Sequence, residues 1–216
     1  MLKWFEKLLL IKSNKEKVSV CNKTIDDLFD SLNETIIDIR VGSDLVRFDE
    51  SIFELFWKLR EEIKSECGFI IPEVRLREDF SYQENEFGIY VYNQKVHEGF
   101  AIPSHDECCD EIYEALKTVI YDNLDKVFTN ELAEKYVNTV MKSNNILVWD
   151  ITNKLSIIDI KTILTEIIMK GKSINNISYI FEKMGEYILS DGICPYSNKK
   201  YNPHIISQAI SRYLYK

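Results

Sequence analysis

At residues 35–41, Ile37, Ile39 and Val41 alternate with Asp38 and Arg40, the two-residue period of a half-buried strand. After the turn at Gly42-Ser43-Asp44 the period changes. Ile52, Leu55, Phe56, Leu59 and Ile63 recur at helical spacing. Gly68 stands where a helix-closing glycine belongs, and Pro72 bars further helix. Alternation then returns, with Val74, Leu76 and Glu78 on one side and Arg75, Arg77 and Asp79 on the other. Two further strand-like runs, EFGIYVY and KVHEGFA, flank Asn93-Gln94, which reads as a hairpin turn. The order strand, helix, strand, strand, strand predicts a small mixed sheet with a helix on one face.

Beyond Pro103 the pattern is helical. SHDE at 104–107 matches a capping box and opens a helix carrying Ile112, Leu116, Val119, Ile120 and Leu124. Thr129 precedes a second apolar stripe of Leu132, Tyr136, Val137 and Val140. ILVWDI, residues 146–151, is apolar without a period and leaves its state open. Ser156 and Asp159 start another helix that stops at Gly171. Residues 173–189 read as helix, with Ile174, Ile177, Ile180, Phe181 and Met184 inward. Asn202-Pro203 forms a cap and first turn for a last helix running to about residue 215. The class is therefore α+β. Residues 1–34 form a helical arm and linker, 35–103 a sheet subdomain and 104–216 a helical subdomain.

The arm carries Trp4, Leu8 and Ile11 along one side of a short basic helix, flanked by Lys3, Lys7 and Lys12. Such a stripe packs on its own protein or on a neighbour, or touches a membrane surface weakly. Thr24 is placed to cap a second short helix ending near Leu32. No apolar run approaches a bilayer-spanning length.

Charge and composition narrow the chemistry. A formal net charge of -8 disfavours a general nucleic-acid binder, although Tyr90 and Tyr92 near Arg75 and Arg77 resemble the stacking surface of an RNA-binding sheet. Five cysteines at irregular spacing are no disulfide framework and fit a reducing compartment. HDECC, His105 to Cys109, is the one dense group of metal-type ligands. It supplies two donors a helical turn apart with no second pair nearby in sequence. A Cys-His nucleophile pair has no accompanying oxyanion glycines or nucleophile turn. Phosphate-binding glycine loops are missing. No catalytic, cofactor or metal residue is assigned, and the pattern fits a protein-binding module.

The segment ECGFIIPEVRLREDFSYQENEFGIYVYNQKVHEG resembles the cytoplasmic domain of the flagellar and injectisome export-gate family, FHIPEP. That family shows a helix ending in LGF, a PPVRIRDN-like strand, PNEYRI and a KGVxVARGE hairpin. Gly68, Phe69, Pro72, Val74, Arg75, Arg77, Asn85, Glu86, Phe87, Ile89, Val96 and Gly99 stand in register with it. Upstream, IIDIRVGSDLVRFDE is similar to LEIEVGYGLIPLVDE. Downstream, MKGKSINNISYIFEKMGEYI is similar to EGVPIRDLRTILEALADYA, and NPHIISQAISRYL to the family's DPxxL helix.

The resemblance spans roughly residues 35–216. It implies a non-enzymatic bacterial protein-transport domain without cofactors, located in the cytoplasm, that forms homo-oligomers or contacts secretion components. The family's inserted subdomain is absent between Phe100 and Ser104, so its chaperone-docking groove is not carried over. The family's transmembrane part and its final α/β subdomain are likewise absent, and the IRDLR charges are replaced by Asn175, Asn176 and Ser178. A stand-alone adaptor that reuses the fold in another bacterial system is the alternative. Arg75 and Arg77 are expected on the polar face of their strand, paired with Asp38 or Asp79, or else in an interface with a partner. Trp4 and Leu8 are the other interface candidates.

Overall fold

The alternation at residues 35–41 becomes strand β1 (Ile37–Val41), whose Ile37, Ile39 and Val41 are fully buried. The computed structural model describes residues 35–102, 108–190 and 201–214; the expected arm helices, Trp4 and Leu8 lie outside these. A 3-10 turn, Leu45–Phe48, leads into α1 (Asp49–Cys67). The helix buries Ile52, Phe56, Leu59 and Ile63. It ends at Gly68, whose φ of +76° is the left-handed conformation a helix stop needs. A Cβ there would also lie 2.5 Å from the Asn175 nitrogen, so glycine is required twice over.

Strands β2 (Val74–Glu78), β3 (Glu86–Val91) and β4 (Gln94–Phe100) complete a sheet of order β2-β1-β3-β4. β1 and β2 run parallel, with Ile39 opposite Leu76 and Arg40 opposite Arg77. Parallel strands need a crossover, and α1 supplies it. β1 and β3 are antiparallel, as are β3 and β4. The hairpin turn is Tyr92-Asn93, one residue earlier than the sequence suggests. Both residues have positive φ, +48° and +62°, as a two-residue type I′ turn demands. Tyr92 is held there by its N–H to the Ile36 carbonyl at 3.0 Å.

The helical part begins with α2 (Cys108–Asp122) and the single turn α3 (Leu124–Val127). α2 packs on α1, β3 and β4. Thr129 caps α4 (Asn130–Met141), its side chain accepting from the Leu132 N–H. Asn144 caps α5 (Asn145–Thr152), so ILVWDI is helical. Ser156 and Asp159 form a reciprocal capping box on α6 (Ile157–Met169). α7 spans Ile177–Ser190, and Asn202 with Pro203 opens α8 (Pro203–Ser211). α6 packs against α3, α4 and α8, and α5 against α4 and α7. Buried side chains from Ile37 in the sheet to Ile210 in α8 belong to one hydrophobic cluster.

Candidate protein interface

Asp38 and Arg40 point to the side of β1 opposite the isoleucines, and that side is largely occupied from within the chain. Asp38 is only 5% exposed. Its Oδ2 accepts from Arg40 Nε at 3.0 Å and Arg77 Nη2 at 2.5 Å. Arg40 also lies 3.9 Å from Asp79, and its guanidinium stacks 3.8 Å above the Tyr90 ring. The loop after β2 folds over this face. Tyr82 shares a 2.7 Å hydrogen bond with the Tyr90 hydroxyl and sits on Gly88, leaving no room for a Cβ. Burial and the Tyr90 contact push the Tyr82 hydroxyl up to about 12. Arg77 is thus tied to Asp38, whereas Arg75 is exposed and makes no ion pair with a described residue. Tyr90 is covered, and the Tyr92 hydroxyl reaches the Lys126 carbonyl at 3.4 Å, so the two rings form no open stacking platform.

An open surface lies instead beside α1. A cleft of about 750 Å³ runs between α1, α4 and the segment 174–177. Its floor is built by Tyr136 of α4, whose hydroxyl donates to the Gly68 carbonyl at 2.7 Å and accepts from the Ile70 N–H at 3.0 Å. Burial raises that hydroxyl to about 12, keeping it a neutral donor. Phe69, Phe128 and Tyr136 form a stacked series with centroids 5.3 and 5.6 Å apart. The Ile174 N–H caps the Cys67 carbonyl at 2.8 Å, and Asn175 Nδ2 reaches the Ser65 carbonyl at 3.0 Å. The rim is apolar and basic, with Trp57, Ile70, Arg60, Lys64 and Lys135. The Arg60 guanidinium is held by the Pro72 carbonyl at 3.0 Å and the Trp57 ring at 5.0 Å. A cleft with saturated floor hydrogen bonds and an aromatic, cationic rim is suited to receive another polypeptide surface.

A second apolar surface lies on α5 and α7. Ile146 and Trp149 are 72% and 66% exposed, and Leu189 is 66% exposed beside a smaller groove of about 400 Å³. Among the described residues there is no group of three or more His, Cys, Asp or Glu able to hold a metal, and no helix long and apolar enough to cross a membrane. The side chains of residues 105–109 are outside those described. Sequence reading located Arg75 and Arg77 on their strand face but not the cleft. Its walls come from residues 57–73, 132–139 and 174–177, which no local pattern links.

Comparison with solved structures yields a consistent match. Chlamydia pneumoniae CdsV superposes with a TM-score of 0.67 at 11% identity, over 82% of this chain and 65% of that one. The fold is shared. The nonameric EscV cytosolic domain from the type III secretion system gives a TM-score of 0.64 at 13% identity, over 82% and 64%. CdsV has also been solved in a complex with CdsO, giving the same TM-score of 0.67 over 82% of this chain and 64% of that one at 11% identity. In sequence, the flagellar biosynthesis protein FlhA of Bacillus subtilis (strain 168) is 23% identical over 175 residues, covering 60% of this chain and 26% of that protein. No protein-family model matches the chain. The chain thus resembles the cytoplasmic domains of the export-gate family. It spans about a quarter of the curated relative and just under two thirds of the solved chains.

Proposed function

We propose that this chain is a non-enzymatic contact domain of the export-gate kind, working in the cytosol by assembling with copies of itself or with protein secretion components. The observation that carries this reading is the common fold with the EscV cytosolic domain, which is nonameric, and with CdsV, which forms a complex with CdsO. The open cleft beside α1 and the apolar edge of α5 and α7 support it, since both suit protein contact. The division into a sheet subdomain (35–103) and a helical subdomain (104–216) belongs to the same reading, with the cleft at their junction. Light scattering over a concentration series tests it, together with affinity purification from a native host. Species heavier than one chain, or recovery with secretion components, are expected. A single-chain mass at every concentration together with no such recovery overturns the reading.

A further inference from the structure

We infer that the open edge of β2 accepts a strand from another protein. The occupant is an extended segment matching the five residues of β2, acidic beside Arg75 and Arg77 and apolar at the positions between. This deepens the protein-contact reading and rests on it. β2 ends the sheet order β2-β1-β3-β4, so one side of it meets no described strand. Its ladder with β1 is regular from Val74 to Glu78. One bond fixes which backbone groups lie open. The Asp79 N–H donates to the Val41 carbonyl at 3.0 Å, so Arg77 and Arg75, two and four residues earlier, aim their backbone groups at β1 as well. Val74, Leu76 and Glu78 therefore turn their N–H and C=O groups outward, where no described residue bonds them. Such a row is a template for pairing with another chain. The other terminal strand, β4, is less suited. Its ladder with β3 shifts register between Ile89 and Tyr90, and α2 packs on it.

The side chains choose the segment. Cross-strand partners share a face, so Val74 and Leu76, opposite Ile37 and Ile39, lie on the α1 side, where both are half-buried. On that side Trp57 is 62% exposed and lines the cleft with Pro72 and Glu73, the residues that lead into β2. Alternate side chains of an added strand would cover this apolar margin. The other face carries Arg75 and Arg77, with Glu73 before and Asp79 after them, and Asp38 and Arg40 on β1. These formal charges balance, so long-range attraction does not select the partner; position does. Asp79 accepts from the Ser81 hydroxyl at 2.7 Å and lies 3.9 Å from Arg40. Asp38 gives one oxygen to both Arg40 and Arg77. Arg75 makes no ion pair with a described residue, and the Arg77 side chain is 40% exposed. The two cations on β2 itself are thus short of carboxylate, and acidic residues directly across from them complete the pairing.

The test uses the full chain and a synthetic peptide, capped at both ends, in which glutamate alternates with valine. Saturating peptide should slow hydrogen exchange at the Val74, Leu76 and Glu78 amides by roughly tenfold or more. N-methylation of one alternate set of the peptide's amides should abolish binding and of the other set should not, because only one set faces the edge. Glu78→Pro removes an outward N–H from an exposed residue and no ladder bond. The urea midpoint should therefore hold while peptide affinity falls by roughly tenfold or more. Arg75→Glu should lower affinity for this peptide by about fivefold and raise it for a lysine–valine counterpart. Binding that leaves those amides unslowed, or that persists in Glu78→Pro, overturns the edge assignment. Equal affinity for the glutamate and lysine peptides overturns the acidic assignment. No binding of either peptide overturns the inference, whereas the contact-domain reading falls only if assembly and recovery with secretion components fail as well.

Discussion

Tyr136 does more than fill space. Its hydroxyl is the shared partner of the Gly68 carbonyl and the Ile70 N–H, two backbone groups left over where α1 stops. Tyr136→Phe keeps the ring stacked on Phe128 but strands both groups, of which Gly68 is buried. Loss of stability by about 1–3 kcal/mol is expected, read as a lower urea midpoint at unchanged slope. Tyr121→Phe, whose hydroxyl donates to the exposed Glu66 at 3.0 Å and also meets the Cys67 thiol, should cost less, about 0.5–1 kcal/mol. Sequence reading placed Tyr136 on the inward stripe of its helix, which is correct. It had no means of seeing the hydroxyl's role, because the partners lie 66 and 68 residues away. Arg77 was more legible. Its alternation with Leu76 set its face, and Asp38 was among its expected partners. Its neighbour Arg75 stands opposite Asp38 in the register, yet the Asp38 Oδ2 pairs with Arg40 and Arg77, and Arg75 makes no ion pair with a described residue.

Several element boundaries were readable because a side chain or glycine itself makes the cap. Thr129, Ser156, Asn202, Gly68 and Gly171 are of this kind. They were unreadable where a tertiary bond overrides the local pattern. Ile174 keeps helical spacing with Ile177 and Ile180, but its N–H is committed to the Cys67 carbonyl. α7 therefore starts three residues later, with Asn176 accepting from the Tyr179 N–H at 3.2 Å. The α1–α2 pairing is a second tertiary feature, and it titrates. Lys117 and the Tyr113 hydroxyl both bond Glu62, and they hold its carboxyl below the usual range. A carboxylate with a depressed folded pKa adds stability above its unfolded pKa, about 4.3, and loses it as pH falls through the folded value. Glu62→Gln should therefore be less stable than the wild type at neutral pH. The gap should close as pH drops below about 4. Urea midpoints across that range give the check, and a gap that stays constant with pH would show that Glu62 contributes by packing alone.

At the scale of the molecule, the proposed border near Pro103 separates two textures of sequence but not two cores. The buried cluster is continuous from Ile37 to Ile210. Bonds that stitch the end of α1 to the bundle include Tyr136 to Gly68, Ile174 to Cys67, Asn175 to Ser65 and Tyr121 to Glu66. Two subdomains joined only by a flexible link would unfold separately, whereas a shared core makes the unfolding of either expose the apolar surface of the other. Trp57 reports on α1 and Trp149 on α5, so the two sides of the border can be followed independently in Trp4→Phe backgrounds that keep one or the other indole. Their fluorescence transitions in urea should coincide with each other and with far-UV circular dichroism. Tyr136→Phe should move all of them together. Separate transitions, or a Tyr136→Phe effect confined to Trp57, would mean that the sheet and the bundle are independent bodies. The cleft between them would then be a hinge, and a neighbour docked there would hold the two halves together as well as join two chains.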